Sequence, residues 1–247
     1  MWLVLCSSAD TAALWAYQGL KQLGLGPLEL VTAEHLASAN RWEHRLRGLK
    51  TEVSITLADG RVIDGSQVRG VLNRMHAPSE LTTERAVASD RSYAQSETQA
   101  FYLSWLHGLP GVVINRPTPY GLSGAWLHPS EWTMRACLVG LRTLVYRQSA
   151  RDLPNQNYPT FAPQSPNAKS IIALQGKVFG HEVPDAVAQA CGRLAADAGA
   201  AMLGVDLNLD HHGQWRFASA TPSPELRRGG MPLLHHMAQI LNQGARS

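Results

Sequence analysis

Apolar residues crowd into Trp2 to Cys6, a run too short for a helix and closed by the polar stretch Ser7-Ser8-Ala9-Asp10, so a buried strand is predicted there. That polar stretch offers helix-capping side chains ahead of the Ala/Leu-rich run Thr11 to Leu23. Gly24 and Gly26-Pro27 stop the helix, and Leu28 to Thr32 predicts a second strand. Thr51 to Leu57 alternates polar and apolar residues, turns at Ala58-Asp59-Gly60 and returns through Arg61-Val62-Ile63, the pattern of a β-hairpin. Val68 to Arg74 reads as an apolar strand ending in a polar pair. Ala86 to His107 places Ala94, Glu97, Phe101 and Trp105 near a 3.6-residue period, and Gly111 to Pro117 is a short strand running into a proline-broken loop.

The second half predicts a helix over Ser130 to Leu141, then a proline-spaced polar segment from Arg151 to Pro166, whose composition favours extended backbone. Ser170 to Gly180 reads as a strand turning at glycine into another. An alanine-rich helix follows from Asp185 to Gly199, and Ala200 to Leu209 enters a final hairpin that turns at His211-His212-Gly213. Leu233 to Leu241 closes the chain as a helix. The expected organisation is an α/β chain: an N-terminal domain over 1–120, a connecting helix over 121–150, a Pro-rich linker over 151–169, and a C-terminal domain over 170–247.

Composition narrows the class. At 247 residues, 45% hydrophobic and 17% charged, the chain is long enough to bury a sizeable core. Its apolar runs fall short of the ~20 residues that cross a bilayer, and Trp2 to Cys6 lacks a basic leader, so no membrane attachment is expected. The cysteines Cys6, Cys137 and Cys191 show no metal spacing, which fits a reducing, cytoplasmic setting. The formal charge of +3 is spread along the chain, apart from the short basic runs Arg41 to Lys50 and Arg227-Arg228, so nucleic-acid binding is not expected. Of the 22 basic residues, only Lys21, Lys50, Lys169 and Lys177 are lysines.

Few residues invite chemistry. No Gly-x-Ser-x-Gly elbow, P-loop or dinucleotide fingerprint occurs, and Gly24-Leu25-Gly26 precedes proline rather than a helix. His211-His212 sits in a turn and reads as exposed. Cys6 lies where a helix N-terminus can lower a thiol pKa, although a buried structural cysteine is the simpler reading. Arg74, Asn115 and Arg116 stand at strand ends, which in an open α/β sheet face the ligand crevice. An arginine there can clamp a carboxylate, or simply pair with Glu80, Glu84 or Asp90.

The hairpin Gly204-Val205-Asp206 to Ser219-Ala220-Thr221-Pro222-Ser223-Pro224 resembles the closing hairpin of the ATP-grasp ligases, in which Gly-Val-Asp is followed by a strand ending Glu-Val-Asn-Pro-x-Pro. Arg74, Glu97 and Asn115-Arg116-Pro117 stand in the order found in the peptide-modifying members, the microviridin-type and ribosomal-protein glutamate ligases. The resemblance implies a pre-ATP-grasp-like open α/β domain followed by a truncated α+β large lobe, with the small ATP-covering lobe missing at the proline-spaced segment. It also implies magnesium and ATP positions at Asp206, Ser219 and Thr221, two of which have lost the expected Glu and Asn. A neutral hydroxyl cannot supply the lost carboxylate charge.

The expected ligand-facing residues are then Arg74, Asn115, Arg116 and Arg227, with no catalytic residue, no metal and no cofactor. The expected function is that of a degenerate accessory subunit binding a peptide or partner protein. The alternative is a ligase that joins a carboxylate to an amine, with ATP and magnesium held by unusual ligands. Loss of a lobe exposes apolar surface, so a homodimer or a protein complex is expected, anchored by Trp126, Trp132 and Tyr146.

Overall fold

Strand β1 (Trp2–Cys6) is buried along its whole length because it lies inside a parallel sheet, paired with β2 (Leu28–Thr32) on one side and β6 (Gly70–Asn73) on the other. Strand β7 (Val112–Ile114) completes the order β2-β1-β6-β7. The computed structural model describes residues 1–48, 50–79, 86–109, 111–144, 146 and 168–243. Described residues fall into two compact units: residues 1–124 together with the segment from Met231 onward, and residues 125–230.

In the first unit, helix α1 (Thr11–Gln22) starts where Asp10 accepts the Ala13 N–H at 2.9 Å, and ends at Gly24, whose positive φ of 82° reverses the chain. Its buried stripe of Ala13, Ala16 and Leu20 packs on one side of the sheet. The closing helix α6 (Gly230–Gln243) joins it: Leu234 lies where a Cβ on Gly19 would sit, and the Trp2 indole donates to the Leu241 carbonyl at 3.1 Å. The sequence pattern assigned this helix to the C-terminal domain. It instead completes the first unit, because Leu233, Leu234, Met237, Ile240 and Leu241 form its apolar face.

The opposite face of the sheet, through Leu3, Leu5, Val31, Val71 and Val113, forms a core with helix α3 (Arg91–Gly108) and the antiparallel sheet β3 (Arg41–Arg47), β4 (Lys50–Thr56) and β5 (Val62–Asp64). The basic run beginning at Arg41 is therefore a strand. Trp42 on it packs edge-on to Phe101 and Trp105 of α3, with ring centroids 4.8 and 5.1 Å apart, and His44 Nε2 lies 2.8 Å from the Ser104 hydroxyl. A short helix α2 (Ala33–Ala37), capped reciprocally by Thr32 and His35, was also unmarked in the sequence pattern.

The second unit is an antiparallel sheet in the order β11-β10-β8-β9, built from β8 (Lys169–Leu174), β9 (Lys177–Gly180), β10 (Met202–Leu209) and β11 (Trp215–Thr221). Gln175 and Gly176, both at positive φ (44° and 82°), form the tight turn between β8 and β9. Helices α4 (Pro129–Leu138) and α5 (Asp185–Asp197) bury Trp132, Ala136, Cys191 and Leu194 against Ile171, Leu203, Val205 and Phe217. Trp132, expected as an interface anchor, is only 4% exposed and belongs to this core. The Pro-rich stretch expected over 151–169 lies outside the described residues up to 167, and Lys169 already belongs to β8.

Candidate functional site

Strand register builds the site of the second unit. Asp206 on β10 faces Ser170 across β8 and Ser219 across β11, so three polar side chains line up on the face opposite the α4/α5 core. One step along, Ile172, Gly204 and Thr221 are paired the same way. The chain returns over this face through Pro222 to Pro224, and the approach is so close that a Cβ on Gly204 would lie 2.6 Å from Pro224 Cβ. A cavity of about 620 Å³ remains, lined among others by Ser170, Asp206, Ser219, Thr221, Glu225 and Arg228.

Hydrogen bonding fixes what this face can do. Ser219 Oγ donates to Asp206 Oδ2 at 2.8 Å, and Ser170 Oγ donates to Oδ1. The Arg228 guanidinium, carried by a single helical turn over Leu226–Gly229, donates to the Ser170 hydroxyl and lies 3.9 Å from Asp206 Oδ1. Thr221 Oγ1 accepts the Ser223 N–H at 3.1 Å, which turns the proline loop. Glu225, the second carboxylate of the lining, accepts the Arg227 N–H at 3.2 Å and pairs with the Arg227 guanidinium at 3.5 Å.

Magnesium demands near-octahedral oxygen ligation, and in phosphate sites it sits between one or two carboxylates and the phosphates. One carboxylate hydrogen-bonded at both oxygens, a second paired with Arg227, two serines and an adjacent arginine do not fit such an ion. Among the described residues no group of three or more His, Cys, Asp or Glu side chains gathers anywhere to hold a metal.

The strand-end residues of the first unit have other partners. Arg74 is 3% exposed, and its Nε and Nη2 donate to the two Asp10 oxygens at 2.7 and 3.2 Å, a bidentate pair at the sheet position where the strand order reverses. Asp10 thus caps α1 and holds Arg74 at once. Burial raises its carboxyl pKa, but the hydrogen bonds and charge of Arg74 outweigh this and hold it below the ordinary carboxylate value. The sequence offered Glu80, Glu84 or Asp90 as structural partners; Glu80 and Glu84 lie outside the described residues, and Asp10 is a partner within them.

Asn115, at φ 61°, is buried, and its carbonyl accepts from the Asn73 side chain at 2.9 Å. Asn73 also donates to the Leu122 carbonyl at 2.7 Å, so this buried amide pins the loop that carries Asn115. Arg116 is exposed and donates to the Gly111 carbonyl at 2.8 Å, while Arg227 belongs to the second unit. The expected group of Arg74, Asn115, Arg116 and Arg227 is therefore divided between the two units. Glu97 lies on the exposed part of α3, beside a groove formed with Leu36, Trp42, Phe101 and Tyr102. Cys6 is buried, and burial first, then the Asp10 charge, pushes its thiol up to about 12, which removes any nucleophilic role at neutral pH.

A parallel sheet and an antiparallel one, whose β10–β11 hairpin carries Gly204 and Asp206 on the cavity face, make up a fold shared with solved ATP-grasp ligases. No family model and no curated protein matches the sequence. Solved structures match it in fold. The macrocyclase MdnC of Microcystis aeruginosa, bound with its precursor peptide MdnA, superposes over 98% of this chain and 100% of its own with a TM-score of 0.71 at 12% identity. A ligase associated with ribosomally made peptides in Chryseobacterium gregarium, in complex with ADP and a leader and core peptide, covers 99% of this chain and 96% of its own, with a TM-score of 0.65 at 8% identity. D-alanine-D-alanine ligase of Aeromonas hydrophila covers 100% of both chains, with a TM-score of 0.51 at 13% identity. No helix among the described residues is long and apolar enough to cross a membrane.

Proposed function

We propose that this chain is a non-catalytic protein of ATP-grasp fold that acts in the cytoplasm as an accessory subunit, binding a peptide or partner protein. The observation that carries the reading is the Asp206 carboxylate, held by Ser170 and Ser219 where the resemblance expects two metal-binding acids. Phosphoryl transfer depends almost wholly on positioning and on charge neutralisation by metal and cations. Each such interaction removed commonly costs on the order of 10² to 10³ in rate. The loss of the Glu at Ser219 and of the Asn at Thr221 therefore leaves little scope for turnover. Peptide as the partner class follows from the neighbours solved with precursor, leader and core peptides.

Exposed Met134 and Leu138, one turn apart on α4, together with Trp126, supply the apolar surface for association, either as a homodimer or with the partner.

A second reading is favoured by the same neighbours, which are ligases, and by the persistence of Asp206: an ATP-dependent carboxylate-amine ligase acting on peptides with unusual metal ligands. The two readings separate in one experiment. Under the binding reading, isothermal titration with MgATP gives no heat, phosphate release stays at background with any peptide tested, and Arg116→Ala weakens peptide binding by about 1–3 kcal/mol. Peptide-stimulated ATP hydrolysis that disappears in Asp206→Ala would falsify it and establish the ligase.

A further inference from the structure

We propose that Arg228 has taken over the electrostatic role of the metal, so that the face carrying Asp206 is neutralised from within and excludes divalent cations. This rests on the reading that the β8-β10-β11 face corresponds to the metal and phosphate face of ATP-grasp ligases. It goes further in naming the group that replaces the ion. A missing acid alone would leave Asp206 as a bare carboxylate facing a polar cavity, a weak cation site. Instead the guanidinium lies 3.9 Å from Asp206 Oδ1, and Ser170 links the two, accepting from Arg228 and donating to Asp206.

Ser219 supplies the matching bond to Oδ2 at 2.8 Å, so both carboxylate oxygens are engaged by protein donors. A cation arriving at Asp206 would have to compete with those hydrogen bonds and sit beside a guanidinium 3.9 Å from Oδ1, a separation so short that solvent at the half-exposed arginine weakens the repulsion without removing it. Arg227, its neighbour, pairs with Glu225 at 3.5 Å.

The test uses Mn²⁺ as the probe, read by electron paramagnetic resonance and by melting temperature on the full chain. Wild type shows no Mn²⁺ binding that depends on Asp206. Ser219→Glu with Thr221→Asn restores the missing oxygen ligands but binds Mn²⁺ weakly, because Arg228 pairs with the added acid. Adding Arg228→Met strengthens that binding by about tenfold or more, equivalent to at least ~1.4 kcal/mol. Adding Arg228→Lys instead keeps the charge and leaves the binding weak, and circular dichroism confirms that each variant is folded.

The proposal is overturned if wild type binds Mn²⁺ in a way that Asp206→Asn abolishes, or if Arg228→Met leaves the affinity of the Ser219→Glu, Thr221→Asn background unchanged. Neither result depends on turnover. The non-catalytic reading fails separately, on peptide-stimulated ATP hydrolysis.

Discussion

Asp10 and Arg74 show how one residue pair can remove a candidate site from view. Both side chains are nearly enclosed, at 11% and 4% exposed, so breaking the pair leaves a buried group without this ion-pair partner. Arg74→Met or Asp10→Asn should cost about 3–5 kcal/mol, read by urea unfolding at neutral pH. The pair also has an acid signature. Asp10 has a folded pKa below its unfolded value, so its contribution is complete above about pH 4 and fades as pH falls through the depressed folded value. Unfolding curves collected from about pH 6 to about pH 3 should show wild type losing stability more steeply than Arg74→Met. Equal slopes would mean that the pair contributes nothing.

Gly204 makes a second case at this scale. Its missing side chain leaves room for Pro224, so Gly204→Ala should cost about 1–3 kcal/mol by thermal melting, with the proline loop displaced from the Asp206 face.

At the scale of elements, the aromatic contact of β3 with α3 offers a sharp comparison. Trp105 is fully buried, and its indole nitrogen has no hydrogen-bond partner among the described residues. Trp105→Ala should cost about 3–5 kcal/mol through the cavity it leaves. Trp105→Phe should cost clearly less, since the lost N–H is bonded to nothing among the described residues; similar melting temperatures for the two variants would contradict this. Trp42, the partner ring, lies on a strand the sequence did not advertise. Arg41-Trp42-Glu43-His44-Arg45-Leu46-Arg47 does alternate, but its charges dominate the pattern, and its strand character comes from pairing with β4. The parallel strands, the Asp59-Gly60 hairpin and the long helices were legible because each carries its own periodicity or turn residues.

The site was legible to the same depth. The facing of Asp206 and Ser219 follows from the hairpin between them, whereas Ser170 and Arg228 enter through a remote strand register and a single helical turn that no local pattern encodes. Asn73 was missed for a similar reason: an amide at a strand end gives no sign that it will pin a loop more than forty residues away.

For the whole molecule, the division into units makes the last helix decisive. Ending the chain after Gly229 removes α6, and with it Leu234 from Gly19 and the Leu241 carbonyl from Trp2. The truncated protein should lose the first unit's near-ultraviolet dichroism, to which Trp42 and Trp105 contribute, while the second unit retains its helix and sheet signal. An unchanged aromatic spectrum would show that the first unit folds without its closing helix.

The same helix also sets a timetable. During synthesis the first 124 residues emerge early, yet the element that seals one face of their parallel sheet is translated only after the whole second unit. At about 5–20 residues per second the delay is on the order of 5–20 s. Throughout it, Trp2 and the Gly19 side of α1 stand without their final cover. Anything that lengthens the insert between the two parts of the first unit prolongs that exposure.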